Sequence, residues 1–302
     1  MSRSKAVRKV LFVYNPVAGK GMILNHIKEY EKVFSDLGDT CVFYETKGKE
    51  KDEKALPEKL KDGYDQIICA GGDGTLNDVI SILLKNKCTV PLSIIPVGST
   101  NDYAHSIGIS SDPEVAFKTA VEAKHKTEVD VGRIVDRNFL YVAAFGAFTD
   151  TTYTTPQEWK RRLGYIAYFF KAVFHLFAIR VEKLQIRTEK ADYEGKFLDG
   201  IISNAHFVGG FRVLNDKASM KDGLLEVLLI RNPKTIFGLF PIAAAILARR
   251  INPRYMISFQ TPSIEIKDLR GKGIDWNTDG EFGGKHVNTT IRLEEHRLTI
   301  IT

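Results

Sequence analysis

Cys69-Ala70-Gly71-Gly72-Asp73-Gly74-Thr75-Leu76-Asn77-Asp78 joins the end of an apolar strand to a helical pattern carried by Leu76, Val79, Ile80, Leu83 and Leu84. Glycine at three of the four positions 71–74 lets backbone N–H groups approach an anion with no Cβ in the way. The helix that follows aims the positive end of its dipole at the same spot. The one side chain in that glycine cluster is the Asp73 carboxylate. Phosphate with a divalent cation suits the combination, so the stretch points to a nucleotide. A glycine-rich turn without a ligand has no need of a carboxylate between its glycines. Thr75 and Asp78 also have the spacing of a capping box, which leaves a purely structural role open for both.

The chain on either side of this loop alternates strand and helix signals. Lys9–Tyr14 is a short apolar run, and Ile23, Ile27, Tyr30, Val33, Phe34 and Leu37 recur at helical spacing until Gly38. Thr40–Tyr44 reads as a second strand, followed by a charged stretch rich in Lys and Glu. Gln66–Ala70 is the strand entering the loop, Thr75 to about Lys85 the helix leaving it, and Pro91–Ile95 a further buried strand. This alternation predicts a parallel, Rossmann-like three-layer α/β domain over residues 1–130. Ligands of such sheets sit beyond the carboxyl ends of the strands, where loops 15–21, 71–75 and 96–102 fall.

Beyond about residue 128 the pattern changes. Glu128–Val135, Asn138–Phe145, Val181–Thr188, Phe197–Asn204, Leu224–Ile230, Met256–Gln260 and Ser263–Ile266 read as strands, with turns at Glu194-Gly195 and Arg270-Gly271. Helices are expected around 157–178 and 234–249. Residues 131–302 are therefore expected to form a β-rich sandwich domain, with about 296–302 packing back on the first domain.

The 302 residues exceed what one core commonly supports, which agrees with two domains. A hydrophobic fraction of 44% and a charged fraction of 26% exclude disorder as the main state. The net charge of +6 fits an anionic partner without choosing among nucleotide, nucleic acid and acidic membrane. Cys41, Cys69 and Cys88 are odd in number, lack metal spacing and read as reduced thiols of a cytoplasmic protein. The seven histidines show no pairing at metal spacing. The basic start followed by Val10–Tyr14 reads as a first strand rather than a signal peptide, and no run reaches the ~18 apolar residues of a spanning helix.

A second loop, Pro96-Val97-Gly98-Ser99-Thr100-Asn101-Asp102-Tyr103-Ala104, also leaves a strand through glycine into small polar residues. Asn101 and Asp102 are good helix caps. Together, Gly71–Asn77 and Gly98–Ala104 resemble the catalytic domain of the diacylglycerol kinases, a family that includes bacterial lipid kinases and sphingosine kinases. The resemblance runs on through Asn15-Pro16 with Gly19-Lys20-Gly21, Asp130-Val131-Gly132, Leu163-Gly164-Tyr165, Asp222-Gly223-Leu224-Leu225-Glu226 and Asp279-Gly280-Glu281. Taken in order along the whole chain these motifs are specific. The Gly-Gly-Asp-Gly motif alone is shared with NAD kinases and phosphofructokinases.

The resemblance implies an ATP-dependent lipid kinase acting on a diacylglycerol-like hydroxyl, with Mg²⁺ as cofactor. Asn15, Lys20, Gly71, Gly72, Gly74, Thr75, Ser99, Thr100 and Asn101 would bind the nucleotide, and Asp73 and Asp102 the metal. Asp130 and Glu281 would belong to the surrounding acidic network. Asp279, which also reads as a hairpin turn, would be the general base that takes the lipid hydroxyl proton. Two positions depart from the family pattern. Asp78 stands where Glu is usual, and Ser219 stands where an acidic residue completes a structural Mg²⁺ site with Asp222 and Leu224. A weak or absent second metal is therefore expected. Ile236–Ala248 with Arg249, Arg250 and Arg254, and Lys160-Arg161-Arg162 before the other apolar helix, suit a peripheral anionic membrane surface at the inner face. No nucleic-acid partner is expected, and a homodimer is left open. The alternatives are a sphingoid-base or other lipid kinase of this fold, an NAD kinase-like enzyme, and a non-catalytic lipid- or nucleotide-binding relative.

Overall fold

The computed structural model describes residues 7–146, 180–204, 207–208, 211–212, 220–248 and 250–302. The chain divides into two compact units, one with its main span ending at Val131 and regaining Gly209–Phe211 and Glu294–Thr302, the other made of Gly132–Val208 and Arg212–Leu293.

The first unit runs β1 (Lys9–Tyr14), α1 (Met22–Asp36), β2 (Thr40–Glu45), α2 (Lys49–Leu60), β3 (Gln66–Gly71), α3 (Asp73–Lys85), β4 (Leu92–Pro96), α4 (Asp102–Ser106), α5 (Pro113–Glu122) and β5 (Lys126–Val129). The last strand of the chain, β19 (Leu298–Ile301), completes its six-stranded sheet in the order β2-β1-β3-β4-β19-β5. All pairs are parallel except β19 with β5. Every residue of β3 and of β4 is buried, as expected of central parallel strands covered on both faces. Two helices lie where no helix was expected. In α2 only Asp52 and Leu56 are buried, so an apolar stripe is absent; instead the Asp52 carboxylate accepts the Lys47 and Gly48 amides and the Tyr44 hydroxyl. In α5, Asp112 accepts from the amides of Glu114 and Val115 as N-cap, with Pro113 in the first turn.

The second unit contains β6 (Gly132–Ile134), β7 (Arg137–Phe139), β8 (Val142–Gly146), β9 (Glu182–Arg187), β10 (Asp192–Ser203), β11 (Phe207–Val208), β12 (Phe211–Arg212) and β13 (Leu225–Arg231). After them come α6 (Leu239–Leu247), β14 (Met256–Thr261), β15 (Ser263–Asp268), β16 (Ile274–Thr278), β17 (Glu281–His286) and β18 (Asn288–Leu293). Eleven of these strands form one sheet, and its pairs are antiparallel. One apolar cluster on this sheet includes Phe139, Phe145, Phe197, Leu229, Trp276 and Ile291. A second cluster, Leu198, Ile230, Leu239, Ile242, Ala243 and Met256, packs α6 against the sheet.

Three strand expectations change. The run 128–135 is two strands broken at Asp130-Val131, and 138–145 is two strands broken at Leu140-Tyr141. Glu194-Gly195 is no turn: both lie inside β10, opposite Gln185 and Leu184 of β9. The turn between β9 and β10 closes instead with Thr188 donating to the Ala191 carbonyl at 3.1 Å. The expected helix at 157–178, with Lys160-Arg161-Arg162 and Leu163-Gly164-Tyr165, lies outside the described residues, as do Arg249 and Ser219. Among the described residues, no helix is long and apolar enough to cross a membrane.

Candidate active site

Parallel pairing brings the carboxyl ends of β1, β3 and β4 side by side. Tyr14 is in register with Ala70, and Gly71 with Pro96. The loops leaving these strands are stitched at once: Asn15 N donates to the Ala70 carbonyl and Val97 N to the Gly71 carbonyl, each at 3.0 Å.

The two glycine loops touch. A Cβ on Gly98 would lie 2.6 Å from Gly72 Cα and 2.7 Å from Asn101 Oδ1. A Cβ on Gly19, whose φ is +58°, would lie 2.6 Å from the Val97 carbonyl oxygen. Glycine is required here so that three loops can approach one another, as well as to leave N–H groups open. Asn101 fixes the second loop from within. Its Oδ1 accepts Gly98 N at 2.9 Å and its Nδ2 donates to Gly98 O at 3.0 Å.

Asp73 sits in the first turn of α3, and its two carboxylate oxygens accept the backbone N–H groups of Asp102 at 3.3 Å and Tyr103 at 3.4 Å. The carboxylate thus bridges the first loop to the start of α4, where Asp102 is itself buried. Asn15 Nδ2 donates to Thr75 Oγ1 at 2.8 Å, tying the loop that leaves β1 to α3.

These contacts overturn the capping readings. The N-cap of α3 is Gly72, in extended conformation and without a side-chain bond, so Thr75 lies inside the helix with its hydroxyl engaged by Asn15. Asn101 precedes α4 in the left-handed region at φ +54°, its amide turned back on Gly98 rather than forward on the helix. Asp78 lies 3.7 Å from Lys49 in an exposed ion pair.

The remaining expected residues of the first unit are placed as follows. Lys20 is exposed and left-handed at φ +59°, between Gly19 and Gly21 in the same region. Gly74 is exposed in α3, and Ser99 and Thr100 are exposed at the tip of the second loop. Asp130, between β5 and β6, is buried and accepts Arg297 Nε at 2.8 Å in an ion pair. Cys69, just before the first loop, is fully buried, and burial pushes its thiol up to about 12, which makes it inert as a nucleophile.

In the second unit Asp279 occupies the hairpin between β16 and β17. It has φ +51° and is followed by Gly280 at φ +87°, with Gly280 N donating to Asn277 Oδ1 at 3.0 Å. Its carboxylate accepts the backbone N–H groups of Leu140 at 2.6 Å, Tyr141 at 3.1 Å and Val142 at 3.0 Å. The gap between β7 and β8 is where these amides converge. The turn reading holds, and within it three backbone amides orient the Asp279 carboxylate. Glu281 is exposed, 3.7 Å from Arg137. Asp222 Oδ1 accepts Leu224 N at 3.0 Å, a local turn contact. Of the seven non-glycine residues with positive φ among those described, Lys20, Asn101 and Asp279 are expected site residues. Such conformations cost about 1–3 kcal/mol each and gather where function demands a fixed geometry.

One buried acid was not anticipated. Asp199, on β10 amid Phe197, Leu198, Ile201 and Ile202, is fully buried, and among the described residues no side chain bonds its carboxylate. Burial raises its carboxyl well above the ordinary range, opposed by the Gly200 amide. A charged residue inside an apolar strand run is the signal that could have found it.

As metal ligands, Asp73 and Asp102 offer hard oxygens beside a glycine loop, a donor set that fits Mg²⁺ completed by phosphate oxygens. Among the described residues no three His, Cys, Asp or Glu side chains are placed to share a metal without such help.

A parallel α/β unit whose glycine loops touch beside Asp73 and Asp102 is a setting suited to phosphoryl transfer. Residues 9–134 match the model of the diacylglycerol kinase catalytic domain, and relatives similar along nearly the whole chain are diacylglycerol kinases. The chain is 27% identical over 293 residues to a diacylglycerol kinase of Bacillus subtilis (strain 168), covering 96% of this chain and 95% of that one. With a diacylglycerol kinase of Staphylococcus haemolyticus it shares 28% identity over 285 residues, 94% of this chain and 85% of the relative. A solved diacylglycerol kinase from Bacillus anthracis str. Sterne superposes with a TM-score of 0.74 at 20% identity, over 99% of this chain and 98% of that one. The last likeness supports the fold.

Proposed function

We propose that the protein transfers the γ-phosphate of ATP to the free hydroxyl of a diacylglycerol, giving phosphatidic acid. The observation that carries this reading is the Asp279 carboxylate, held at a hairpin tip by three backbone amides. Phosphoryl transfer asks the protein mainly to position phosphates, neutralise their charge and receive the acceptor's proton. Gly71, Gly72 and Gly98 keep the donor loops close enough for their N–H groups to meet the phosphates. Asn15, Thr75 and Asn101 fix those loops, Lys20 faces the anionic charge, and Ser99 and Thr100 offer hydroxyls at the loop tip. Asp73 and Asp102 would hold Mg²⁺, which supplies further charge neutralisation at the phosphates. Asp279 takes the proton of the attacking hydroxyl, a role worth about 10²–10⁴ in rate. Asp130 and Glu281, each set against an arginine, tune the charge of their own surroundings. The setting we propose is the cytoplasmic face of an anionic bilayer, where the acceptor lipid resides.

Asp279→Asn preserves size and most of the amide contacts but cannot accept the proton. Titration with a non-hydrolysable ATP analogue should give unchanged affinity while kcat falls at least 100-fold, the low end of the range for general bases. Turnover near the parent level would remove Asp279 from the mechanism.

A further inference from the structure

We propose that Ser203, with Asn204 beside it, is a positioning residue for the Asp279 carboxylate, acting through the two peptide groups that join Leu140, Tyr141 and Val142. The inference rests on the reading above in one respect, that Asp279 receives the acceptor's proton. Ser203 is the last residue of β10, Asn204 follows it, and both are buried. Ser203 stands opposite Val142, the first residue of β8. The Ser203 hydroxyl donates to the Tyr141 carbonyl at 2.9 Å. Asn204 N donates to the same carbonyl at 2.9 Å, and Asn204 Nδ2 reaches the Leu140 carbonyl at 3.4 Å.

A carbonyl and the N–H of the following residue belong to one planar peptide group. The Tyr141 carbonyl therefore shares a rigid unit with Val142 N, and the Leu140 carbonyl shares one with Tyr141 N. Those two N–H groups are the ones that converge on Asp279 Oδ1, at 3.0 Å and 3.1 Å. Each unit is gripped at its oxygen by the end of β10 and gives its hydrogen to the carboxylate. The hairpin closes the arrangement, with Asp279 N donating to the Val142 carbonyl at 3.0 Å.

The serine hydroxyl is not needed to satisfy the Tyr141 carbonyl, which the Asn204 amide already serves. Packing does not call for it either. Ile201 and Ile202 precede it, and an apolar side chain at this fully buried position would avoid the cost of burying a hydroxyl. The second bond adds direction and polarisation. It fixes the tilt of the Tyr141–Val142 peptide, and bonding at the oxygen strengthens donation from the nitrogen of the same group, by about 10–30% per bond. Asp279 is thereby held at φ +51°, a conformation from which the hairpin would otherwise relax. A displacement near 1 Å in a reacting group costs about 10² in rate, so a hydroxyl that sets this peptide can govern turnover.

The test is a double-mutant cycle on kcat, read as labelled phosphate transferred from ATP to a short-chain diacylglycerol. Ser203→Thr and Ser203→Val add equal bulk and differ in the hydroxyl alone. Ser203→Thr should keep kcat near that of the parent. Ser203→Val should lose about ten-fold in kcat, the equivalent of one typical net hydrogen bond, with KM for both substrates unchanged. In an Asp279→Asn background the two should turn over equally, because the effect runs through a proton acceptor already lost. A serine with a merely structural role would lower kcat by the same factor in both backgrounds, and that additivity would overturn the proposal. So would equal kcat for Ser203→Thr and Ser203→Val with Asp279 intact. If the thermal midpoint shows that Ser203→Val does not fold, Asn204→Ala carries the same cycle against the parent. Parent-like turnover in Asp279→Asn would remove the base itself, and the proposal with it. Loss in Asp279→Asn with additive Ser203 effects would overturn the positioning role alone.

Discussion

Gly98→Ala asks whether the two donor loops work because they touch. The new Cβ would lie 2.6 Å from Gly72 Cα, where ordinary contact begins at 3.4 Å, so one loop must retreat by about 0.8 Å. Nothing nearby gives way cheaply. Gly72 is main chain, and the other close atom, Asn101 Oδ1, is itself bonded to Gly98 N at 2.9 Å. Overpacking of this kind costs about 1–3 kcal/mol of stability. A displacement near 1 Å in a positioning element costs about 10²-fold in rate, equivalent to about 2.7 kcal/mol. Gly98→Ala should therefore unfold at a lower temperature, bind nucleotide more weakly and lose about 100-fold in kcat/KM. Gly108→Ala is the control: it is also strained, at φ +80°, but nothing lies within 4 Å of its Cβ. The control should lose some stability and keep its activity. Parent-like nucleotide affinity and kcat/KM in Gly98→Ala would refute the idea that loop contact shapes the phosphate site.

Asn101→Gly keeps the left-handed backbone but deletes both clamps on Gly98. Nucleotide affinity measured by titration should fall about ten-fold, the equivalent of one typical net hydrogen bond; unchanged affinity would show the clamp to be dispensable. Asp199 makes stability depend on pH. Its folded-state pKa is raised, so its contribution is complete below the unfolded value of ~3.9 and is lost as pH rises toward the folded one, by about 1.4 kcal/mol per unit. In urea titrations Asp199→Asn should gain on the parent steadily with pH through that window; a gap that ignores pH would contradict the assignment of the slope to this carboxyl.

The parts of the fold that were legible are those written locally. Lys9–Tyr14, Gln66–Gly71 and Leu92–Pro96 are predominantly apolar without strict alternation because both faces of a parallel strand are covered. Helix α2 escaped because its anchor is one carboxylate, Asp52, rather than an apolar stripe. Helix α5 was missed although Asp112-Pro113 and the inward-facing Phe117 and Ala120 carry its signal. Glu194-Gly195 looked like a turn, yet cross-strand register with β9 carries the chain straight through it. The site divides in the same way. Glycine and carboxylate identities at 71–74 and 98–102 were visible in the sequence. That Gly98 faces Gly72, that Asp73 takes the amides of α4, and that Asp279 is held by Leu140, Tyr141 and Val142 depend on pairing between distant segments. No local pattern encodes those contacts.

Labelled phosphate transfer from ATP tests the central claim most directly, with diacylglycerol, sphingosine and NAD offered in parallel and products separated by thin-layer chromatography. The account predicts label in phosphatidic acid from the diacylglycerol reaction, and its loss in Asp279→Asn. Label entering sphingosine or NAD instead, or no turnover by a protein that still binds lipid, would contradict it.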